Sequence, residues 1–196
     1  MNTNEKARWN QKYAEEPEKW QAPDPFLVAA YAEYLSDAKP GRALDVAGGA
    51  GRHAIWLARK GWQIRLVDIS DVATGLTREK AALLPRAVAG SVATETVDLN
   101  LINNFGAEQY ELIVVFFFLR RELFPALVQA LKPGGVLIYK TYSIERAKMP
   151  NGPGDVSYLL QPNELLRAFS SPGLRVLHYH ESLRGKAAAE LVARRT

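Results

Sequence analysis

The sequence predicts an α/β fold built on a doubly wound, mostly parallel β-sheet. Short apolar runs of strand length alternate with segments of helical spacing between Arg42 and Phe169. A glycine turn joins the first of these runs to a helix. Two further strand-like runs near the end of the chain flank Arg184-Gly185 and predict a hairpin. Helical crossovers make consecutive strands parallel, whereas a closing hairpin adds an antiparallel strand.

The clearest pattern lies between Arg42 and Ser70. It opens with an apolar run of a length that suits a buried parallel strand. In order, the segment predicts a strand at 43–47, the turn Gly48-Gly49-Ala50-Gly51, a helix ending at Gly61, and a strand at 64–67 that runs into Asp68. This order, with an acid about 20 residues after the turn, is typical of nucleoside-binding folds.

Two acids indicate which nucleoside ligand fits this turn. A dinucleotide site would read G-x-G-x-x-G, and the turn has no third glycine at that spacing. Asp45, inside the first strand, would repel a pyrophosphate but could accept hydrogen bonds from an amino group. Asp68 could accept hydrogen bonds from ribose hydroxyls. The alternative is that the glycines form only a strand–helix turn, because isolated glycine motifs are weak signals.

The run D-V-A-G-G-A-G resembles the cofactor motif of class I S-adenosylmethionine-dependent methyltransferases, in which an acid, here Asp45, precedes x-G-x-G-x-G. One departure is Ala47, which stands where the first glycine of that motif usually lies. The resemblance implies S-adenosylmethionine as cofactor and a Rossmann-like sheet of seven strands with one reversed strand near the C-terminus. It also implies that Gly49 and Gly51 face the methionine and ribose parts of the cofactor, and that Asp68 binds the ribose hydroxyls.

Three further residues fit the same cofactor, since ligands of doubly wound sheets lie outside the carboxyl ends of the strands. We predict a third strand within 88–99, with Asp98 at its tip. The resemblance implies that Asp98 accepts a hydrogen bond from the adenine amino group and that Leu99 lies against the ring. The alternative for Asp98 is a polar residue that only ends an exposed strand. Arg52 could bind the methionine carboxylate or be a solvated arginine.

The N-terminal segment indicates which smaller group of methyltransferases the sequence resembles. Residues 3–14 predict a short polar helix in which Trp9 and Tyr13 lie one turn apart and share a face. This helix, with the later runs Phe118-Leu119-Arg120-Arg121-Glu122-Leu123-Phe124-Pro125 and Leu131-Lys132-Pro133-Gly134-Gly135, resembles the small tellurite-resistance and thiopurine-type methyltransferases. The resemblance implies a single domain, with a helical lid at 1–40 and a cofactor-binding core at 41–196. Trp9 and Tyr13 then pack against the cofactor, and a plain core role is their alternative.

The remaining predicted elements complete the alternation of strands and helices. Asp24-Pro25 is a good helix start, because Asp can cap the first turn and Pro suits the first helical position. We predict helices at 26–37, 72–84, 120–131 and 162–169, strands at 110–117, 136–142, 174–182 and 187–194, a turn at 132–135, and a loop at 143–160. Loops of that length without secondary structure are usually functional or disordered.

Composition limits the function classes. The chain has 196 residues, 47% of them hydrophobic, which is enough for one well-buried domain. It has no apolar run long enough to span a membrane and no signal-peptide pattern, so we expect a cytoplasmic protein. Zero cysteines exclude disulfides and a cysteine nucleophile. A net charge of +4 from scattered basic residues argues against a nucleic-acid partner, and we expect a monomer or homodimer with a small-molecule substrate.

The sequence gives less information about the acceptor site than about the cofactor site. Val115-Phe116-Phe117-Phe118, after the fourth strand, predicts an apolar mouth without the Asn/Asp-Pro-Pro-aromatic turn of enzymes that methylate amino groups. A small acceptor that is already nucleophilic suits such a mouth: a thiol, a metalloid oxyanion or a phenol. We predict no metal site and identify no catalytic base. His53 is expected on a helix surface, and His178 and His180 are expected as polar residues of an edge strand.

Two other function classes remain open. An RNA or protein methyltransferase would use basic patches such as Arg120-Arg121 and Arg194-Arg195, although the chain barely exceeds the length of the catalytic fold. A nonenzymatic S-adenosylmethionine-binding module would need an output surface or domain, and none is evident in the sequence.

Overall fold

The computed structural model describes residues 3–16, 21–85, 89–150, 152–153 and 155–196, which form a three-layer α/β structure around one seven-stranded sheet. The strands are β1 (Arg42–Val46), β2 (Gln63–Asp68), β3 (Ser91–Thr96), β4 (Tyr110–Phe116), β5 (Leu131–Tyr142), β6 (Leu174–Glu181) and β7 (Ala188–Arg195). The helices are α1 (Thr3–Glu15), α2 (Pro25–Tyr34), α3 (Arg52–Ala58), α4 (Asp71–Ala82), α5 (Phe124–Ala130) and α6 (Glu164–Phe169).

The sheet order is β3-β2-β1-β4-β5-β7-β6, which confirms the predicted Rossmann-like sheet with one reversed strand. Strands β1 to β5 pair in parallel because a crossover separates each from the next. Strand β7 runs antiparallel to both of its neighbours, since a short hairpin connects it to β6. The parallel strands therefore point their carboxyl ends to the same edge, where the glycine turn lies.

Side-chain caps fix the starts of two helices, and the one at Asp24 confirms the predicted helix start. The Asp24 carboxylate accepts a hydrogen bond from the Phe26 N–H at 3.0 Å, and Pro25 occupies the first helical position of α2. The Ser70 hydroxyl accepts a hydrogen bond from the Ala73 N–H at 3.0 Å and caps α4. These caps fix two helix N-termini at the same edge as the glycine turn.

Apolar side chains cover both faces of the sheet. Alternate residues of β1 point to opposite layers, so Leu44 and Val46 join the core under α5 and α6, and Ala43 joins the core under α2 and α3. Asp45 shares the face of Ala43 and is buried there. Trp62, just before β2, is fully buried in the same layer. Within the described residues, no helix is long and apolar enough to cross a lipid bilayer.

Several predicted boundaries are wrong by a few residues. Strand β3 ends at Thr96 rather than at 97–99, because the chain turns there and the Asp98 carboxylate accepts a hydrogen bond from the Asn100 N–H at 2.9 Å. The predicted turn 132–135 lies inside β5 as an irregularity, where the register against β4 shifts. The predicted helix 120–131 shortens to α5 after a 3₁₀ turn at Arg121–Leu123. Parts of the predicted third-strand region and of the 143–160 loop (Val88, Asn151 and Gly154) lie outside the described residues.

The 143–160 segment contains two 3₁₀ turns, Ile144–Lys148 and Val156–Tyr158. Arg121 fixes the C-terminal part of this segment. Its guanidinium donates hydrogen bonds to the carbonyls of Ser157 and Leu159 at 2.8 and 3.0 Å, and it also pairs with Glu164. The segment predicted as a structureless loop is thus partly ordered through contacts that are distant in sequence.

Ala47 has a left-handed backbone conformation, with φ of +53°. This region costs a residue with a Cβ about 1–2 kcal/mol, and glycine adopts it without that cost. We expect Ala47→Gly to raise the free energy of unfolding by about 0.5–1 kcal/mol after the extra entropy of the unfolded chain is subtracted. Urea unfolding measures this. Ala50→Gly, at a buried position of the same turn with negative φ, is the control and should destabilise; equal losses in both variants would contradict the argument.

Candidate functional site

Three buried acids lie in or just after the last residues of three adjacent strands, at the carboxyl edge of the sheet. Asp45 lies in β1, Asp68 ends β2 and Asp98 follows β3, with side chains 1%, 6% and 2% exposed. The Val97 N–H donates to the Asp68 carbonyl at 2.8 Å and joins the tips of β2 and β3. The structure therefore brings together the acids that the sequence predicted from separate motifs.

The Asp68 carboxylate ties the glycine turn to β2. One oxygen accepts a hydrogen bond from the Gly49 N–H at 2.8 Å, and the other accepts one from the Ser70 N–H at 2.9 Å. Burial raises the pKa of Asp68 to about 6, although these backbone hydrogen bonds oppose the rise. Asp68 thus holds the glycine turn against β2. Its carboxylate oxygens also face the cleft, by which we mean the space at this edge of the sheet beside the glycine turn.

The Asp45 carboxylate is buried directly beneath the glycine turn. Neither oxygen has a hydrogen-bond partner of ordinary geometry among the described residues, although the Ala54 N–H approaches and lowers the pKa slightly. Burial is the main cause that raises the pKa of Asp45 to about 8, and repulsion from Asp68 adds to it. A buried carboxylate without partners is costly, so this arrangement indicates a site for a hydrogen-bond donor or cation.

Asp98 and Leu99 lie at the outer end of the cleft. Asp98 forms a turn with the Asn100 N–H, and Leu99 is buried against the core beside Val67 and Val97. Both residues adjoin the β3 tip, where the adenine end of the cofactor was predicted.

Gly49 and Gly51 both have positive φ, of +56° and +76°. A Cβ at Gly49 would lie 2.2 Å from the Tyr13 hydroxyl oxygen, and a Cβ at Gly51 would lie 2.5 Å from a Thr77 methyl group. The Thr77 hydroxyl also donates to the Gly49 carbonyl at 3.1 Å. The turn therefore needs glycine for its conformation and for the close approach of Tyr13 and α4.

Helix α1 covers the glycine turn. The rings of Trp9 and Tyr13 stack with centroids 5.9 Å apart, and the Tyr13 hydroxyl reaches Gly49. Burial, followed by the charge of Asp68, raises the pKa of Tyr13 well above its usual range, so the phenol stays protonated. Within the predicted lid at 1–40, α1 lies over the turn, whereas α2 packs its Leu27 against the sheet.

Helix α1 is docked through the start of α4. Asn10 accepts a hydrogen bond from the Ser70 hydroxyl at 2.7 Å and donates one to Asp71 at 2.6 Å. Lys6 pairs with Asp71 at 3.0 Å and lowers the pKa of that carboxyl. These contacts are partly exposed, so each contributes modestly to the docking of the helix.

Gly49→Ala should test the contact between α1 and the turn. We expect a loss of about 2–4 kcal/mol in the free energy of unfolding, from the left-handed backbone and the collision with Tyr13. In a Tyr13→Ala background, the same change should cost only the backbone part, about 1–2 kcal/mol. Chemical unfolding of the four proteins in this double-mutant cycle measures the difference. Additive losses would mean that Tyr13 does not press on Gly49.

Phe117 lies just beyond β4, next to the glycine turn. It has a left-handed φ of +57°, held by a hydrogen bond that its N–H donates to the Lys140 carbonyl at 2.7 Å. Its ring packs against Tyr142 with centroids 4.8 Å apart, and the Arg52 guanidinium lies 5.8 Å from the ring centroid. The predicted apolar mouth is thus aromatic, with Arg52 turned toward it.

A buried ion triad supports this mouth. Lys140, in β5, pairs with Asp24 and Glu190, each at 2.9 Å. Burial lowers the pKa of the Lys140 ammonium, but hydrogen bonds to the two carboxylates outweigh it and raise the pKa above its usual value. The sequence analysis missed this site, and its one available signal was a lysine within the apolar run of β5.

His53 is buried, which corrects the predicted helix-surface position. Its side chain is 3% exposed and its ring centroid lies 4.2 Å from that of Phe116. Its Nε2 has no hydrogen-bond partner among the described residues. Burial, followed by the charges of Arg52 and Lys140, lowers its pKa well below the usual value and keeps the ring neutral.

The remaining histidines do not form a metal cluster. His178 packs against Phe26, with ring centroids 5.5 Å apart, and His180 is exposed on β6. Across the described part of the chain, no group of three or more His, Asp or Glu side chains could hold a metal ion.

Comparison with known proteins shows which family has a sequence like that of this chain. The sequence model of the methyltransferase domain family matches residues 24–179. A curated relative, the ribosomal RNA small subunit methyltransferase C of Alcanivorax borkumensis, is 33% identical over 105 residues. That match spans 50% of this chain and 31% of the relative, so it covers less than a third of the relative's length.

Solved structures share the whole fold. TehB from Haemophilus influenzae superposes with a TM-score of 0.71 at 17% identity, over 96% of this chain and 67% of TehB. A SAM-dependent methyltransferase from Aquifex aeolicus superposes with a TM-score of 0.66 at 18% identity, over 97% and 98% of the two chains. At these identities the structures establish the likeness of fold.

Proposed function

The chain belongs to the methyltransferase domain family, whose cofactor is S-adenosylmethionine, and from that premise we propose that it methylates a small nucleophilic acceptor: a thiol, a metalloid oxyanion or a phenol. The observation that carries the proposal is the unpartnered Asp45 carboxylate beneath the glycine turn, one strand away from an aromatic mouth. Asp45 suits a cationic amino group, and the mouth suits a small acceptor.

The residues at the cleft fit the cofactor. We assign Asp45 to its ammonium group, because no protein donor satisfies this carboxylate at ordinary hydrogen-bond geometry within the described ranges. Gly49 and Gly51 leave room for close approach, and Asp68 would bind the ribose hydroxyls. Asp98 and Leu99 would hold the adenine at the next strand tip, while Trp9, Tyr13 and Arg52 would enclose the methionine end.

When bound, S-adenosylmethionine would supply an electrophilic methyl group, which the acceptor would take by in-line attack while S-adenosylhomocysteine leaves with the electron pair of the broken carbon–sulfur bond. The protein's part in such a reaction is to align the acceptor and exclude water. Helix α1 is placed to cover the cleft through Tyr13 and Trp9. Phe117 and Tyr142 form the wall that would face the acceptor. An acceptor that binds as a thiolate, an oxyanion or a phenolate has already lost its proton and needs no general base. Burial lowers the pKa of His53 well below its usual value, so this ring is a weak base.

The alternative is an RNA or protein methyltransferase, and the ribosomal RNA methyltransferase relative favours it. The arginine pairs that could serve such a substrate are engaged within the chain. Arg121 binds Glu164 and loop carbonyls, and Arg120 donates to the Ile102 carbonyl at 2.8 Å. Arg194 donates to the Tyr34 carbonyl, and Arg195 pairs with Glu108. These roles weaken the case for an RNA surface there.

Calorimetric titration with S-adenosylhomocysteine and with NAD tests the cofactor site. We expect micromolar binding of the first and none of the second. Turnover assays with S-adenosylmethionine would then compare thiols, selenite, tellurite and phenols with RNA. Methylation of RNA alone would replace the small-acceptor proposal with the alternative, and binding of NAD alone would overturn the assignment of the cleft.

A further inference from the structure

We propose that Thr77 and Lys80, on α4, are positioning residues that hold the glycine turn in the conformation that binds the cofactor. Both residues lie outside the glycine motif, more than 20 positions after it in the chain. The inference rests on the proposed assignment of this turn to S-adenosylmethionine. It adds that a helix outside the motif sets the affinity for that ligand.

The buried face of α4 is polar, whereas a helix that packs on a sheet usually buries apolar side chains. Its buried residues are Ala73, Thr74 and Thr77, and both threonine side chains are fully buried. The Thr74 hydroxyl lies 2.7 Å from the Thr96 hydroxyl of β3, whereas Thr77 lies against the glycine turn. Because burying a hydroxyl is costly unless it forms a hydrogen bond, each threonine depends on its own contact.

The Thr77 hydroxyl binds the turn through the Gly49 carbonyl. Its oxygen lies 3.1 Å from the Gly49 carbonyl oxygen and 3.0 Å from the Ala73 carbonyl oxygen. The hydroxyl has one proton, and the Ala73 carbonyl already accepts an N–H in the helical ladder of α4. No other described residue donates to the Gly49 carbonyl, so we assign the hydroxyl proton to this carbonyl.

Lys80 binds the next carbonyl of the turn. Its ammonium donates to the Ala50 carbonyl at 3.1 Å, from a position about one helical turn after Thr77. Two successive peptide groups of the glycine turn therefore direct their carbonyls to α4. In a planar trans peptide the N–H points opposite to the C=O, so the N–H groups of Ala50 and Gly51 point away from this helix.

These two N–H groups have different partners. The Gly51 N–H donates to the Gly48 carbonyl at 3.1 Å and closes the turn. The Ala50 N–H has no hydrogen-bond partner in the part of the chain that the structure describes, and Ala50 is only 2% exposed. A buried N–H without a partner is costly, so the orientation set by Thr77 and Lys80 offers this donor to an acceptor atom of a bound ligand.

The glycines make this support from α4 necessary. Gly49 has a positive φ and no Cβ, so the peptide group between Gly49 and Ala50 can rotate at a small steric cost. Such a rotation would reverse the direction of the Ala50 N–H. When only a fraction of the molecules has the binding conformation, the apparent dissociation constant rises by the inverse of that fraction. Loss of the Thr77 contact should therefore weaken cofactor binding in a protein that stays folded.

Two valine variants on the same helix test the role of Thr77. Thr77→Val and Thr74→Val each remove a hydroxyl from a fully buried threonine and nearly keep the side-chain shape. We expect both to lower the midpoint of urea unfolding. Only Thr77→Val should weaken the binding of S-adenosylhomocysteine, by about three- to tenfold, the ratio for one lost hydrogen bond. Thr77→Ser keeps the hydroxyl and should bind within about twofold of wild type.

A second pair of variants tests Lys80. Lys80→Met should weaken the binding of S-adenosylhomocysteine by about two- to fivefold. Arg78 is exposed and donates to the Thr94 hydroxyl of β3 at 3.2 Å, so Arg78→Met is the control for the loss of a positive charge on α4. Arg78→Met should bind S-adenosylhomocysteine like wild type.

The two threonine variants also decide between positioning and plain stability. Equal losses of affinity in Thr77→Val and Thr74→Val would overturn the proposal, because affinity would then follow the stability of the helix. Unchanged affinity in both Thr77→Val and Lys80→Met would refute the positioning role and leave the cofactor site intact. Failure of the wild type to bind S-adenosylhomocysteine would instead refute the proposed function.

Discussion

Lys140→Met should lower the free energy of unfolding by about 3–5 kcal/mol, the range measured when one partner of a buried ion pair is removed. The ammonium is the shared partner of Asp24 and Glu190, and the Asp24 side chain is only 1% exposed. Methionine keeps much of the side-chain volume, so the loss reports the uncompensated carboxylates more than a cavity. Urea unfolding at neutral pH measures the difference.

The double variant Lys140→Met/Asp24→Asn is the matched control. Asparagine caps a helix about as well as aspartate, so the hydrogen bond from the Phe26 N–H should persist while the buried negative charge disappears. We expect the double variant to recover at least half of the stability that the single variant loses. A double variant no more stable than the single one would show that the loss comes from packing and not from charge.

Asp45→Asn should change cofactor affinity and stability of the free protein in opposite directions. If Asp45 binds the cofactor's ammonium group, the variant should bind S-adenosylhomocysteine about 10–100-fold more weakly, as expected for a charge-assisted hydrogen bond. The free protein should become more stable at pH 8, because a buried, unpartnered carboxylate is replaced by a neutral amide. Calorimetry and urea unfolding on the same preparations test both effects.

The pH dependence of this site follows from the raised pKa of Asp45, about 8. The unfolded carboxyl loses its proton near pH 4, whereas the folded one keeps it up to about pH 8. The stabilising contribution is therefore full below about pH 4 and falls as pH rises toward 8. Asp68, with a pKa of about 6, acts in the same direction over a narrower range.

The same protonation should make cofactor binding weaker at low pH. Pairing with an ammonium group requires the charged Asp45 carboxylate, so affinity for S-adenosylhomocysteine should rise with pH toward 8, by up to about tenfold per unit. Asp45→Asn should lose most of this dependence. Equal slopes of affinity against pH in wild type and variant would place the titrating group elsewhere.

Local sequence patterns were sufficient to predict much of the architecture. The glycine turn, the capping residues Asp24 and Ser70, and the strand-length apolar runs each depend on residues close together in sequence. The order of strands and helices, and the reversed strand of the closing hairpin, follow from them. The alignment of Asp45, Asp68 and Asp98 at one edge follows in turn, since parallel strands end on the same side.

The burial and the partners of individual side chains could be established only from the tertiary structure. From sequence, His53 has the spacing of a surface helix position, yet it lies against Phe116, which is 63 positions away (116 − 53). One of the two carboxylates that pair with Lys140 belongs to Asp24, which lies 116 positions earlier in the chain. Arg52 is near Phe117, and Tyr13 is against Gly49, for the same reason of long-range packing.

The sequence by itself determined the fold class, the cofactor motif and the edge of the sheet where ligands bind, because turn conformation, capping and periodicity act over a few residues. Only the tertiary structure decided which charges are buried, which carboxylate lacks a partner, and which rings and cations surround the acceptor site. Desolvation and ion pairing depend on neighbours brought together by packing, and the spacing of residues along the chain carries no record of them.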